Sequence, residues 1–345
     1  MEKLRTGLAA AAGILAMGAF AYADENPCAD GKDTALKDAA KPLVAESEDA
    51  PHATMDADGR APAGVRKWLD MEPRKATPFD HFARPVTNVN FHHPFIWNEL
   101  RPLFMYHSFP ETGIMDGGHL KLYAFQVFFA LTEDIQFMAY KDGYVDFKPG
   151  VFDNDTGFAD IAFGAKFKVW EDLDGEHGPA TFAVGLGYET TSGSTGILEG
   201  KGDGFFDLFG SYARSLGEFN FIGTGGVFLP RDKDEDNRTY HWHVHVDTHL
   251  GDNLQPLIEI NGFHYDGNAE RNAGLGPNVP LGIEGYDYTT LGSDNVRDND
   301  VVTGAIGFRH HISEDISWGL AYEKPLTNRR DVMSKRWTMD IVFRF

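Results

Sequence analysis

From about residue 99 onward, apolar and polar residues alternate in runs of eight to fourteen, parted by clusters of turn-forming residues, and this two-residue period predicts strands. The predicted segments are Glu99–Ser108, His119–Leu131, Asp134–Lys141, Gly157–Trp170, Pro179–Thr190, Gly204–Ser215, Glu218–Leu229, Arg238–Leu250, Asn253–Asp266, Asp300–His311, Asp315–Lys324 and Lys335–Phe345. The sharpest alternation runs from Tyr240 to Leu250. Its even positions are mostly apolar or aromatic, and its odd positions are His241, His243, His245, Asp247 and His249. Successive side chains of a strand point to opposite faces, so this strand has one greasy face and one ionisable face.

The pattern recurs where Trp337, Met339, Ile341 and Phe343 oppose Thr338, Asp340 and Arg344. In the fourth segment Ile161, Phe163, Phe167 and Val169 oppose Asp160, Gly164, Lys166 and Lys168. The second segment is less clean: Leu120, Leu122 and Phe128 share a face with Gln126, yet the opposite face is apolar too. Either the interior has a greasy wall there, or the N-terminal segment packs against it.

Connection lengths alternate as well. Thr132-Glu133, Leu216-Gly217, Gly251-Asp252 and Ile312–Glu314 are tight, whereas Phe109–Gly118, Asp142–Thr156, Thr191–Asp203, Pro230–Asn237, Gly267–Asn299 and Pro325–Ser334 are long. Short turns at one end and long loops at the other are the layout of bacterial outer-membrane barrels. Bulky aromatic faces belong outside such a cylinder and small, polar and charged faces inside, and closure pairs every backbone group where lipid offers no partner. The predicted fold class is all-β, a transmembrane antiparallel outer-membrane β-barrel of twelve strands over 99–345.

The start of the chain has another character. Glu2, Lys3 and Arg5 precede an apolar run, Gly7 to Phe20, that ends in Ala21-Tyr22-Ala23, a signal-peptide pattern with cleavage expected after Ala23. Residues 24–98 are polar and lack sustained alternation up to about Val86, with helical turns expected at Ala63–Met71. Two readings stand: a disordered periplasmic leader, or a segment that enters and partly plugs the lumen. The sole cysteine, Cys28, excludes an internal disulfide, and no run offers the roughly 20 apolar residues of a spanning helix. A formal charge of −21 argues against nucleic-acid partners.

The run Gly157-Phe158-Ala159-Asp160-Ile161-Ala162-Phe163-Gly164-Ala165-Lys166-Phe167 carries a resemblance to a known family. So do Gly178-Pro179-Ala180, Gly185-Leu186-Gly187-Tyr188, the Thr190–Ser194 turn, Phe205–Tyr212 and the terminal aromatic strand. Together they resemble the outer-membrane family linked to the meta-pathway of phenol degradation, and Phe345 resembles the signal read by the barrel-assembly machinery. The resemblance implies a barrel and a channel for aromatic or other apolar compounds; it implies no catalytic residue.

Candidate lumen-lining residues are His241, His243, His245, Asp247 and His249, with Glu259 and Asn261 on the next strand and Lys166, Lys168, Arg309 and Arg344 elsewhere. Imidazoles spaced by two along one strand suit a metal or anion station, with His241, His243 and His245 as the metal candidates, but one strand cannot wrap a small site. The plainer reading is a hydrogen-bonded polar wall. Both signs of charge supply an internal network, since buried charges require pairing.

The expected function is passive or facilitated uptake of a small solute of apolar or aromatic type, without cofactor or catalysis, by a monomer in contact with outer-membrane lipids. A closed scaffold or adhesion barrel with binding external loops is the alternative. A hydrolase would need a base near Ser211 or Ser317, for which no motif speaks.

Overall fold

A computed structural model of the protein describes residues 76–176, 178–274 and 281–345. The signal segment 1–23 with its cut after Ala23, the helical turns at Ala63–Met71 and the leader before residue 76 lie outside the described residues. Fourteen strand segments follow in order: β1 (Glu99–Ser108), β2 (Gly118–Ala130), β3 (Ile135–Lys141), β4 (Tyr144–Pro149), β5 (Asp155–Phe158), β6 (Ala162–Asp172), β7 (Ala180–Glu189), β8 (Phe205–Leu216), β9 (Phe219–Pro230), β10 (Thr239–Thr248), β11 (Leu254–Tyr265), β12 (Asn299–His311), β13 (Ile316–Pro325) and β14 (Lys335–Arg344). They form one antiparallel sheet, and β1 pairs with both β14 and β2, so the sheet closes on itself.

Two barrel strands are interrupted. β3 and β4 both pair with β2, over Val127–Ala130 and Gly118–Tyr123 respectively, while β6 pairs with β3 and β5 with β4. Fourteen segments with two interruptions make twelve barrel strands. The predicted loop Asp142–Thr156 therefore contains a strand, and Gly157–Trp170 is not a single run.

The interruption has a local cause. Between Val127↔Ala139 and Tyr123↔Tyr144 the chain advances four residues on β2 and five on its partner, which is a one-residue bulge. Gly143 sits there at φ 128°, where an added Cβ would lie 2.7 Å from the Tyr123 carbonyl oxygen. Asp142 Oδ1 accepts the Phe125 N–H at 2.8 Å, standing in for a ladder bond. Lys141-Asp142-Gly143 has the composition of a turn, yet the strand resumes in the same direction.

The outer face is apolar: Trp242 is 41%, Ile258 58% and Ile306 65% exposed, while His241, His243, Leu257, Glu259 and Ala305 beside them are buried. Residues 82–95 are all buried, and their partners are the inward side chains of the wall, so this segment occupies the lumen. At the loop end the inward Leu120, Leu122, Phe147, Phe205, Phe228 and Phe263 form one apolar cluster with Val89 and with Tyr286, Tyr288, Leu291 and Val296 of the β11–β12 connection. The greasy inner wall of β2 thus meets both the N-terminal segment and an inward-folded loop.

Candidate functional site

The inward rows of β8 to β12 hold the N-terminal segment by its backbone. Glu259 accepts the N–H groups of Val86 (2.7 Å) and Thr87 (2.9 Å) and the Thr87 hydroxyl, and its Oε1 lies 2.9 Å from His245 Nδ1. His245 Nε2 is 3.1 Å from Asp247 Oδ2, which also accepts the Ala83 N–H at 3.2 Å. One imidazole thus bridges two carboxylates that each hold the segment. Sharing a proton-bearing ring between two carboxylates is what makes such a buried acidic pair tolerable.

Above it runs a second chain of bonds. Asp207 accepts from His92 Nε2 (3.0 Å) and His241 Nε2 (2.9 Å); His241 Nδ1 meets His243 Nε2 at 3.0 Å, and His243 Nδ1 meets Asn261 Oδ1 at 3.0 Å. Asn261 in turn donates to Glu323 at 2.9 Å and to Thr87 Oγ1 at 3.1 Å. His243 stacks on Phe91, with ring centroids 5.3 Å apart. All ring nitrogens of His241, His243 and His245 have hydrogen-bond partners, so a metal ion there would have to displace them. His249 falls just beyond β10, exposed at the turn end, with Nε2 3.1 Å from the His81 carbonyl oxygen.

The cations that hold the segment come from β6, β12 and β1. Lys166 Nζ donates to the His93 carbonyl at 2.5 Å, Arg309 Nε to the Arg84 carbonyl at 3.0 Å, and Arg101 Nη2 to the Val86 carbonyl at 2.6 Å. Arg101 and Arg309 meet on Asp340 at 2.5 and 3.0 Å. Lys168 reaches Asp134 and Glu171 near the turn end, both at 3.3 Å, and the Arg344 guanidinium lies 3.6 Å from the Trp97 ring centroid. The proposed residues therefore divide: His241, His243, His245, Asp247, Glu259, Asn261, Lys166 and Arg309 converge on residues 83–93, whereas Lys168, Arg344 and His249 lie toward the turn end.

Sequence reasoning missed several members of this network. Asp207 is hidden between Phe206 and Leu208 in a strand read as aromatic, though its alternate position was the available signal. Asp287 accepts the Val89 N–H at 3.0 Å and the Arg336 guanidinium at 2.6 Å, joining the inward loop to the lumen segment; no periodicity marks a loop residue. Ser211 donates to the His92 carbonyl and Ser317 accepts from Arg309, so each is committed to the network rather than to a general base.

At the strand interruption Lys141 Nζ lies 2.5 Å from Glu189 and 3.3 Å from Glu199, and Asp160 accepts the N–H groups of Gly193 and Gly200. At the loop end Glu284 accepts the N–H groups of Leu291 and Ser293, both at 2.8 Å, and the Asn237 amide. Burial nevertheless pushes its carboxyl up to about 7.

No family model matches the sequence, and no curated protein matches it. Among solved structures it is similar to the COG4313 outer membrane channel from Pseudomonas putida F1, at 11% identity and a TM-score of 0.51, over 79% of this chain and 100% of that one. Weaker likenesses are to the NanC porin (10% identity, TM-score 0.43, 72% of this chain and 100% of that one) and the KdgM porin (8%, 0.40, 72% and 99%). Closed antiparallel topology, an apolar exterior and the first of these likenesses define the class: a twelve-stranded transmembrane β-barrel of the outer membrane.

Proposed function

We propose that the protein is a monomeric outer-membrane channel for small solutes of apolar or aromatic type, whose lumen residues 76–98 hold shut. The observation that carries this reading is the division of the interior into two zones. Loop-end lining is apolar and aromatic, through Leu120, Leu122, Phe147, Phe205, Phe228 and Phe263, while the middle is ionic and bonded to the segment's backbone. An apolar zone filled by the inward-folded β11–β12 connection, above a polar closure, suits a solute that enters greasy when that connection shifts and advances when the closure does, either along the lumen or through the wall beside the interrupted strands. No cofactor takes part; the named lumen residues line and latch the path. The resemblance to the meta-pathway family points to the same solute class, and the terminal Phe345 fits recognition by the assembly machinery.

The test is reconstitution of the folded, full-length protein in defined bilayers, with uptake of small aromatic compounds and single-channel conductance measured beside a Glu259→Ala variant. Uptake or conductance that rises in the variant supports the reading. Correctly inserted protein with neither activity, in either form, rules against transport. The densely bonded external loops, among them Arg271 with Asp236 and Thr290, favour a second reading as a closed adhesion barrel. Loss of surface binding on deletion of 281–296, in a transport-negative barrel, would select it.

A further inference from the structure

The outward side chains near the loop end of β13, β14, β1, β2 and β4 form a lattice that the strand register fixes. One level carries Tyr322, Trp337, Tyr106, Lys121 and Asp146, through the pairs Tyr322↔Trp337, Tyr106↔Trp337, Tyr106↔Lys121 and Lys121↔Asp146. Two residues nearer the loops lie Lys335, Ser108, His119 and Lys148, through Ser108↔Lys335, Ser108↔His119 and His119↔Lys148. Lys324 extends this row, because it and Lys335 each follow the Glu323↔Arg336 pair by one residue toward the loops. Below both levels the outward positions are apolar: Met339, Phe104, Tyr123 and Tyr144.

A basic row thus stands directly above an aromatic girdle, and the girdle marks the height at which a bilayer's hydrocarbon gives way to headgroups. We propose that this face binds the phosphorylated headgroup of an outer-leaflet glycolipid, with Lys324, Lys335, His119, Lys148 and Lys121 around its phosphates and Trp337, Tyr106 and Tyr322 against the start of its acyl chains.

Four observations carry the assignment. Four lysines oppose one acid, Asp146, so the lattice has a net charge of +3 with His119 neutral, in a chain whose formal charge is −21. Asp146 lies 2.8 Å from Lys148 and 3.6 Å from Lys121, which holds two ammonium groups side by side as a pair of phosphate donors. Lys324 and Lys335 have no ion-pair partner among the described residues and are exposed. On the neighbouring strands β11 and β12 the outward groups near the loop end are His264 and Asp300, bonded at 2.8 Å, so the row of lysines stops at β13. Five adjacent strands at about 4.8 Å give the row a width of roughly 20 Å, broad enough for a disaccharide headgroup with phosphates at both ends.

The assignment rests on the loop end facing outward and is independent of whether the lumen transports. Its test is native mass spectrometry of the folded, full-length barrel titrated separately with diphosphoryl lipid A, dephosphorylated lipid A and phosphatidylglycerol. Wild-type protein should retain diphosphoryl lipid A at least tenfold more tightly than the other two. The double variants Lys324→Gln/Lys335→Gln and Lys121→Gln/Lys148→Gln should each lower that preference, and the quadruple variant should abolish it. Lys168→Gln, at the opposite end, should leave it unchanged. Equal retention of the dephosphorylated lipid shows that acyl chains alone bind, and equal retention of phosphatidylglycerol shows an unselective anionic surface; either result overturns the proposal, as does a quadruple variant that binds like the wild type. A failed uptake assay with intact lipid A selectivity would sink the channel reading and leave this one standing.

Discussion

Replacing Glu259 with alanine removes the acceptor that fixes the middle of the lumen segment. Two buried N–H groups, those of Val86 and Thr87, would lose a charged partner at 2.7 and 2.9 Å. The Thr87 hydroxyl keeps a bond from Asn261, and His245 keeps Asp247, so the loss falls mainly on the two backbone donors. A hydrogen bond to a charged group contributes about 1.5–3 kcal/mol, so the local opening of this stretch should become easier by about 4 kcal/mol. That is roughly a thousandfold in its opening equilibrium. Hydrogen–deuterium exchange of the bilayer-embedded protein reads this directly, as faster exchange across residues 84–89 with strand peptides unchanged. Glu259→Gln, which keeps one carbonyl oxygen but points two donors at donors, should fall between. Unaltered exchange at Val86 and Thr87 in the alanine variant would refute the claim that this carboxylate latches the segment.

Glu284 gives a pH prediction. Its folded pKa of about 7 lies above the ordinary 4.5, so the folded loop holds a proton that the opened loop releases. Its stability is therefore greatest below 4.5 and falls as pH rises through 7, and the Leu291 and Ser293 amides should be better protected near about pH 5 than near about pH 8 after correction for intrinsic rates. Glu284→Gln should flatten that dependence. On the outer face, Ile258→Arg should weaken folding into bilayers by about 2–4 kcal/mol in a denaturant titration, and an unchanged midpoint would contradict lipid exposure there. Gly143→Ala should cost about 1–3 kcal/mol in the same assay, because φ 128° and the nearby Tyr123 carbonyl leave no room for a Cβ.

Strand number and facing were legible because they depend on one local rule, alternation, that lipid outside and a filled lumen inside both enforce. Tyr240 to Thr248 shows this best: every apolar position points out and every His or Asp points in. The interruption at Asp142–Gly143 was not legible, since a bulge and a turn use the same residues and only the partner strand tells them apart. The lumen network was half legible. His241, His243, His245 and Glu259 announce themselves by periodicity, but what they hold is the irregular backbone of residues 83–93, and an aperiodic segment carries no sign of its partners. Asp287 reaches the lumen from a long connection for the same reason.

One face of each strand meets lipid while the other meets the lumen segment, and site-directed spin labelling along β10 reads that facing residue by residue. With Cys28→Ser as background, single cysteines would replace Trp242, Val244 and Val246, and separately His241, His243 and His245, in the bilayer-inserted protein. Labels at the even positions should be relaxed strongly by oxygen and not by a water-soluble nickel chelate, with labels at the odd positions immobilised and shielded from both. Water-accessible labels at the even positions, or lipid-accessible labels at the odd ones, would contradict it.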